Sequence, residues 1–298
     1  MKVKLIINPT AGIREKNINQ LKRKILSEEN IEKQITKFFQ DKKWIINISR
    51  TKKAGDGTII ARKSKNYNII IAAGGDGTIN EVINGMNINT KLGIIPLGSE
   101  NVLAKELKIS LNIEKACKII YQNKTKKIDL GIINKKRFIF VAGIGFDADA
   151  ITKVKPILKK LIGRHAYTVA GLRTLFEHKP EELEITINNK EKEKGYFVII
   201  SNVKRYGGNL KITPTAELDD GSLDLCVFKN KDLWSVMKYI LGGVSGTMKN
   251  VKETKHYKIT SAEIKSKKPT LYHTDAEIGG TTPVKIKVIP KKLAVIIP

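Results

Sequence analysis

Between an apolar run and a helical pattern lies the pentapeptide Gly74-Gly75-Asp76-Gly77-Thr78. Three glycines let a backbone turn sharply and approach a ligand with no Cβ in the way. Backbone N–H groups at such a turn, beside a helix N-terminus, favour bound phosphate. Thr78 is a natural N-cap for the helix that follows. The loop is not a Walker A motif, because no Lys-Ser/Thr pair follows the glycines, and from Gly75 the spacing is Gly-x-Gly-x-x-Asn, which is not a dinucleotide fingerprint. Asp76 is an unhelpful choice for phosphate alone. It makes sense if a divalent cation, or its water shell, sits there with a nucleotide.

Two further acidic groups stand near the other end of the chain. Asp275 and Glu277 are two residues apart, so on a strand both would face one side. His273 is out of phase with both and is expected to face away as packing or surface. Asp219-Asp220-Gly221 reads as a turn before a strand, since Asp and Gly are turn formers. His165, His178 and His256 form no ligand pattern. Cys117 and Cys226 lie far apart in apolar contexts and read as core thiols.

The elements that must position these residues fall into two sets. In the first third, apolar strands at Lys4–Ile7, Trp44–Ser49, Asn68–Ala73 and Leu92–Ile95 alternate with helical patterns at 17–39, 56–65, 79–86, 100–108 and 113–122. This alternation predicts a parallel sheet covered by helices on both faces. Beyond Lys124-Thr125-Lys126-Lys127 strands dominate, at 128–133, 137–143, 183–188, 196–202, 223–228, 255–265, 269–275 and 284–289. Helical stretches interrupt them at 150–178 and 231–241. Turns at Asn188-Asn189 and Asn134-Lys135-Lys136 read as hairpins. The expectation is an α/β chain of two domains: residues 1–127, α/β and nucleotide-binding, and 128–298, antiparallel and β-rich.

The net charge is +26, with 55 basic residues of which only eight are Arg. Such a balance draws a protein toward anionic surfaces. The lysines are spread rather than clustered and aromatics are 6% of the chain. A nucleic-acid reader more often combines Arg with aromatics, so that class is set aside. No apolar run reaches the roughly 18 residues needed to span a bilayer. Met1 to Asn8 is too short and too soon broken by Pro9 for a secretory signal, so a cytoplasmic protein is expected.

The segment GGDGTINEVINGM, residues 74–86, resembles the signature of the diacylglycerol kinase catalytic-domain family, which includes bacterial lipid kinases and sphingosine kinases. Asn8-Pro9-Thr10-Ala11-Gly12 is similar to that family's N-terminal nucleotide-binding turn. Thr51 stands in the place of a nucleotide-contacting threonine. Pro96-Leu97-Gly98-Ser99-Glu100-Asn101 resembles the PxGTxN turn. Gly143–Ala148, Pro214–Leu223 and Asp275-Ala276-Glu277 match later segments, in order, over nearly the whole chain. There are three departures. Ser99 replaces threonine, Val102 stands where many bacterial members have aspartate, and Ala276 replaces glycine. If position 276 needs φ > 0, alanine distorts the site.

The resemblance implies a phosphofructokinase/NAD kinase-like α/β domain followed by an antiparallel β-sandwich with helices. It implies an ATP- and Mg2+-dependent kinase acting on a lipid hydroxyl at an anionic membrane surface, peripherally associated. A homodimer is its candidate assembly. Asn8, Pro9, Thr10, Ala11, Gly12, Thr51, Gly74, Gly75, Asp76, Gly77, Thr78, Asn80, Glu81, Ser99 and Asn101 would line the nucleotide site. Arg14 or Lys16 would add positive charge. Asp275 or Glu277 would be the base toward the substrate hydroxyl. The turn at 219–221 would hold a structural Mg2+ through Asp220 and the backbone oxygens of Glu217 and Ser222. Val154, Leu158, Leu161 and their neighbours in 150–178 would divide between core and a lip for acyl chains. NAD kinase, with its own GGDG loop, and a catalytically impaired nucleotide- or lipid-binding regulator are the rival readings.

Overall fold

The computed structural model describes residues 1–11, 18–145, 148, 180–204 and 210–298. They form two compact units, Met1–Ile128 with Lys292–Pro298, and Asp129–Lys291. The helical reading of 150–178, Phe146, Asp147, Gly12, Arg14 and Lys16 lie outside the described residues.

The first unit runs β1 (Lys2–Ile7), α1 (Ile18–Asp41), β2 (Ile45–Arg50), α2 (Asp56–Lys63), β3 (Ile69–Gly74), α3 (Asp76–Gly85), β4 (Lys91–Pro96), α4 (Val102–Glu106) and α5 (Ile113–Gln122). Its strands are parallel in the order β2-β1-β3-β4. Every residue of β3 is buried, as its unbroken apolar run predicts for a central parallel strand. Leu5, Ile71 and Ile95 pack with Ile35 and Phe39 of α1 and with Cys117 and Ile120 of α5. Burial pushes the Cys117 thiol up to about 12, so it packs as an apolar group.

The second unit holds two sheets. Its elements are β5 (Thr125–Ile133), β6 (Lys136–Phe138), β7 (Val141–Gly145), β8 (Leu183–Ile187), β9 (Glu191–Gly195), β10 (Phe197–Ser201), β11 (Leu223–Phe228), α6 (Leu233–Ser245), β12 (Thr254–Ile259), β13 (Ser261–Ser266), β14 (Leu271–Thr274), β15 (Glu277–Thr281) and β16 (Val284–Ile296). One sheet orders β16-β13-β8-β9, with β5 beside β16; the other orders β12-β11-β10-β7-β14-β15. Alternate residues of both, among them Ile185, Ile264, Val198, Leu225 and Ile144, meet in one core. This is an antiparallel β-sandwich.

Several expectations need correction. The stretch 255–265 is two strands, β12 and β13, in different sheets, and the break falls at Thr260. The stretch 137–143 likewise divides between β6 and β7. The strand expected at 269–275 stops at Thr274. β9 was not foreseen, because Glu191–Gly195 carries four charges and no apolar alternation. β16 runs on past Pro290, a residue without an N–H that reads as a strand end. Its last residues pair with β4, Val295 opposite Leu92. With Leu293, Val295 and Ile296 fully buried, Lys292–Pro298 therefore belongs to the first unit rather than the second. The Asn188-Asn189 hairpin has φ +49° and +58°, the paired left-handed residues of a type I′ turn. Among the described residues no helix is long and apolar enough to cross a membrane.

Candidate active site

The parallel strands β1 to β4 of the first unit all end in residues that the sequence singles out. β2 leads into Thr51, β1 into Asn8, β3 into Gly74 and β4 into Leu97-Gly98. Ligands of open α/β sheets bind at this carboxyl edge. The exits are tied in series: Thr51 N–H donates to Ile7 O, Asn8 N–H to Ala73 O and Leu97 N–H to Gly74 O, each at 2.9 Å.

The first turn is built on Asn8. Its Oδ1 accepts from Thr10 N–H (3.0 Å) and the Thr10 hydroxyl (2.9 Å), which closes residues 8–10 into an Asx-turn. Ala11 N–H donates to Asn8 O at 3.2 Å. Pro9 is half-buried and Thr10 is exposed.

The glycine loop enters α3 three residues earlier than expected. Gly75, in extended backbone, is the N-cap, so Thr78 lies inside the first turn and does not cap it. Its hydroxyl instead accepts from Asn8 Nδ2 at 3.1 Å. None of Gly74, Gly75 and Gly77 takes a positive φ; close approach is what excludes a side chain. A Cβ on Gly74 would meet Thr78 Oγ1 at 2.5 Å, and one on Gly98 would meet Gly75 Cα at 2.5 Å. Gly77 is exposed and opens onto free space.

Asp76 is engaged from both oxygens. Val102 N–H and Leu103 N–H donate to it at 3.0 and 3.3 Å, which satisfies the first donors of α4. Burial pushes its carboxyl up, against the pull of those two bonds. The carboxylate expected to meet a divalent cation is thus committed to holding the Gly74–Thr78 loop to α4. Asn101, buried with φ +50°, exchanges hydrogen bonds with Gly98 N–H (2.9 Å) and Gly98 O (2.7 Å). Ser99 and Glu100 are held out as the exposed tip of that turn. Asn80 is buried and accepts from Asn84 Nδ2 at 2.9 Å. Glu81 accepts from Gly55 N–H and Gly57 N–H, both at 2.9 Å, so its side chain fastens α2 to α3 rather than lining the strand edge.

In the second unit, Asp275 and Glu277 do not share a strand face. Asp275 (φ +49°) and Ala276 (φ +66°) form a two-residue turn between β14 and β15, with Thr274 opposite Glu277. Two left-handed residues make it a type I′ hairpin, and Asp-Ala lacks the glycine that usually announces one. The Asp275 carboxylate accepts from Ile139, Phe140 and Val141 N–H at 2.9, 3.0 and 3.0 Å. Burial pushes its pKa up to about 6, opposed by those three donors. Glu277 is exposed and pairs with Lys136 Nζ at 2.8 Å. His273 is fully buried in β14.

The acidic turn has its own tenant. Asp220 Oδ1 accepts from Ser222 N–H (2.9 Å) and the Ser222 hydroxyl (2.8 Å). Lys258 Nζ lies 2.5 Å from Asp220 Oδ2, 2.7 Å from Asp224 Oδ2 and 3.2 Å from Thr215 O. Burial alone would push the Asp220 carboxyl up, but the Lys258 and Ser222 bonds outweigh it and hold it down. Burial likewise opposes the Lys258 charge, and the two carboxylates raise it overall. The side chain of Glu217 is exposed. A divalent ion on Asp220 would have to displace an ammonium that already satisfies the site, so these residues do not fit the structural Mg2+ that the resemblance implies. Sequence reading also missed Asp129. Fully buried, it accepts from Gly221 N–H (2.7 Å) and Lys291 N–H (2.6 Å) and so fixes this turn. A carboxylate inside the apolar run Ile128–Ile133 was the available signal.

A parallel α/β unit followed by an antiparallel sandwich is the architecture of an NAD kinase from Archaeoglobus fulgidus, solved in complex with ATP. That structure aligns with TM-score 0.57 at 11% identity, covering 99% of this chain and 93% of the other, a likeness of fold alone. Residues 2–133 match the family model for the diacylglycerol kinase catalytic domain, and 141–297 that for the YegS C-terminal NAD kinase beta sandwich-like domain. The chain is 28% identical to a diacylglycerol kinase of Bacillus subtilis over 100% of its length and 96% of the relative's. It is 30% identical to one from Staphylococcus haemolyticus, covering 83% and 77%. A crystal structure of a diacylglycerol kinase from Bacillus anthracis aligns with TM-score 0.77 at 26% identity, covering 100% and 97%. The chain belongs to the diacylglycerol kinase family.

Proposed function

We propose that this protein transfers the γ-phosphoryl group of ATP to a hydroxyl of diacylglycerol or a related lipid at a membrane surface. The observation that carries the reading is the carboxyl edge of the first unit. Asn8, Thr51, the Gly74–Thr78 loop and the Gly98–Asn101 turn stand at the ends of four neighbouring parallel strands, joined by hydrogen bonds. Phosphoryl transfer asks a protein mainly for positioning and charge neutralisation. Backbone N–H groups of the glycine loop, with the N-terminus of α3 beside them, meet phosphate oxygens. The open space at Gly77 admits a nucleotide close to the backbone. A divalent ion arriving with ATP is part of the substrate.

On the acceptor side Glu277 is the proton acceptor and Asp275 the positioning residue. Asp275 is saturated by three backbone donors, whereas Glu277 is exposed and its one ion pair is exchangeable. The lipid hydroxyl oxygen attacks the γ-phosphorus, and its proton passes to Glu277. The new O–P bond forms as the bond from the γ-phosphorus to the β,γ-bridging oxygen breaks, and ADP leaves with that electron pair.

The test is transfer of labelled γ-phosphate from ATP with Mg2+ to a total lipid extract, wild type beside Glu277→Gln. A labelled lipid that disappears in the variant supports the reading, and its chromatographic identity names the substrate. Label on a soluble dinucleotide, or no product from a protein that binds ATP, defeats it.

A further inference from the structure

α6 of the second unit is apolar on two sides. Val236 and Tyr239 are buried beneath it. Gly242 and Gly243 lie close enough to Val251, Ile212 and Leu210 that added Cβ atoms would meet them at 2.8 to 3.4 Å. That face is the helix's seat. The other side carries Trp234, Met237, Leu241 and Val244, exposed at 68%, 44%, 66% and 62%. Spacings of three, four and three residues place them on one stripe about 80° wide. A helix with one face seated and an apolar stripe left in water is a docking element.

The charges beside the stripe say what docks. From Phe228 to Lys255 the chain carries Lys229, Lys231, Lys238, Lys249, Lys252 and Lys255 against only Asp232 and Glu253. Lys231, Lys249, Lys252 and Lys255 are exposed, at the two ends of the helix and just beyond. An isologous contact with a second copy would bring two sets of these lysines to one interface, with only Asp232 and Glu253 of each copy to offset them. A stripe along 13 residues, about 20 Å, also falls short of the roughly 800 Å2 per partner of a stable protein interface. An anionic bilayer answers both features. Apolar side chains enter the acyl boundary, the indole sits at headgroup level and the lysines face lipid phosphates.

We infer that α6 is the membrane-docking element, lying in the plane of an anionic bilayer with Trp234, Met237, Leu241 and Val244 inserted. This rests on the lipid-kinase reading for its purpose, but is tested without turnover. In a Trp44→Phe background Trp234 is the only indole. Its emission shifts to the blue on vesicles of phosphatidylglycerol and phosphatidylcholine, and not on phosphatidylcholine alone. Leu241→Glu, at an exposed position that leaves the fold intact by circular dichroism, lowers co-sedimentation with the anionic vesicles about tenfold or more. A Lys249→Glu, Lys252→Glu double variant lowers it as well. Unchanged vesicle binding by Leu241→Glu overturns the inference. So does a sedimenting dimer that Leu241→Glu dissociates while vesicle binding stays at the wild-type level. Vesicle binding lost in Leu241→Glu, in a protein that phosphorylates no lipid, sustains the inference and defeats the proposed function.

Discussion

Asn8 Nδ2 donates to Thr78 Oγ1 across 3.1 Å, although 70 residues separate them. The bond joins the turn after β1 to the first turn of α3. Asn8 Oδ1 is meanwhile committed to Thr10, so the amide orientation is fixed from both ends. Replacing Thr78 by Val keeps the shape that packs on Gly74 and removes the acceptor. A hydrogen bond of this kind is worth about 1 kcal/mol. Thr78→Val is therefore expected to lower the melting temperature by a few degrees and to weaken ATP binding, and Thr78→Ser to restore both. Calorimetric titration of the three proteins checks this; equal affinities would detach the Asn8 turn from the nucleotide.

Asp76 performs two jobs. It sits where the loop would meet phosphate, and it caps α4 through Val102 and Leu103. Asp76→Ala is expected to lose turnover and also about 1–2 kcal/mol of stability, the usual cost of a lost helix cap. Urea denaturation separates the two. A variant that is inactive yet as stable as wild type would show that the α4 bonds contribute nothing.

Ala276 occupies a left-handed conformation, φ +66°, in a position where the family pattern has glycine. An L-residue there costs roughly 1–2 kcal/mol relative to Gly. Ala276→Gly is thus expected to raise the melting temperature of the protein by a few degrees. A decrease would mean that the hairpin is not held in the I′ geometry.

Asp275 and Glu277 should separate in their mutants. Glu277→Gln is expected to lower kcat by about a hundredfold or more with stability intact, since Glu277 is exposed. Asp275→Asn is expected to lower stability, because an amide cannot accept all three N–H groups of residues 139–141. The Asp275 pKa is raised on folding, from 3.8 to about 6. A carboxyl raised in this way favours the fold most when protonated, and that contribution is lost as pH rises through about 6. The deficit of Asp275→Asn against wild type should therefore narrow between about pH 4 and pH 7. Urea midpoints at the two ends decide it, and a gap that widens would reverse the assignment.

Much of the first unit was legible because β3 and β4 are short apolar runs that only a strand buried on both faces explains, and because Gly74–Thr78 announces itself. The second unit was harder for local reasons. Thr260 changes sheets in the middle of one apolar alternation. Glu191–Gly195 is an edge strand whose charges hide it. The pair Asp275-Ala276 turns the chain without the expected glycine. Side-chain partners were the least legible. That Glu81 serves α2, that Asp76 serves α4 and that Lys258 serves Asp220 are facts of tertiary proximity, set by residues 20 to 40 positions away.

Lys258 yields the prediction that departs furthest from the family pattern. Its ammonium bridges Asp220 and Asp224 and reaches Thr215 O, so one covalently held charge does what a bound divalent ion would do. A tethered cation cannot be chelated. The thermal stability of the protein is therefore expected to be the same in Mg2+ and in excess EDTA. Removing the ammonium leaves two carboxylates facing each other with no counter-charge, and such a loss costs about 3 kcal/mol or more in a buried setting. Asp220 is partly exposed, so a smaller loss is expected of Lys258→Met, still visible as a lower melting temperature. The decisive observation is what Mg2+ then does. The vacated oxygens of Asp220 and Asp224 form a site for a hard cation, so the variant should regain stability with added Mg2+ where wild type shows no change. Wild-type stability that falls on chelation would mean that a metal, rather than Lys258, holds this turn.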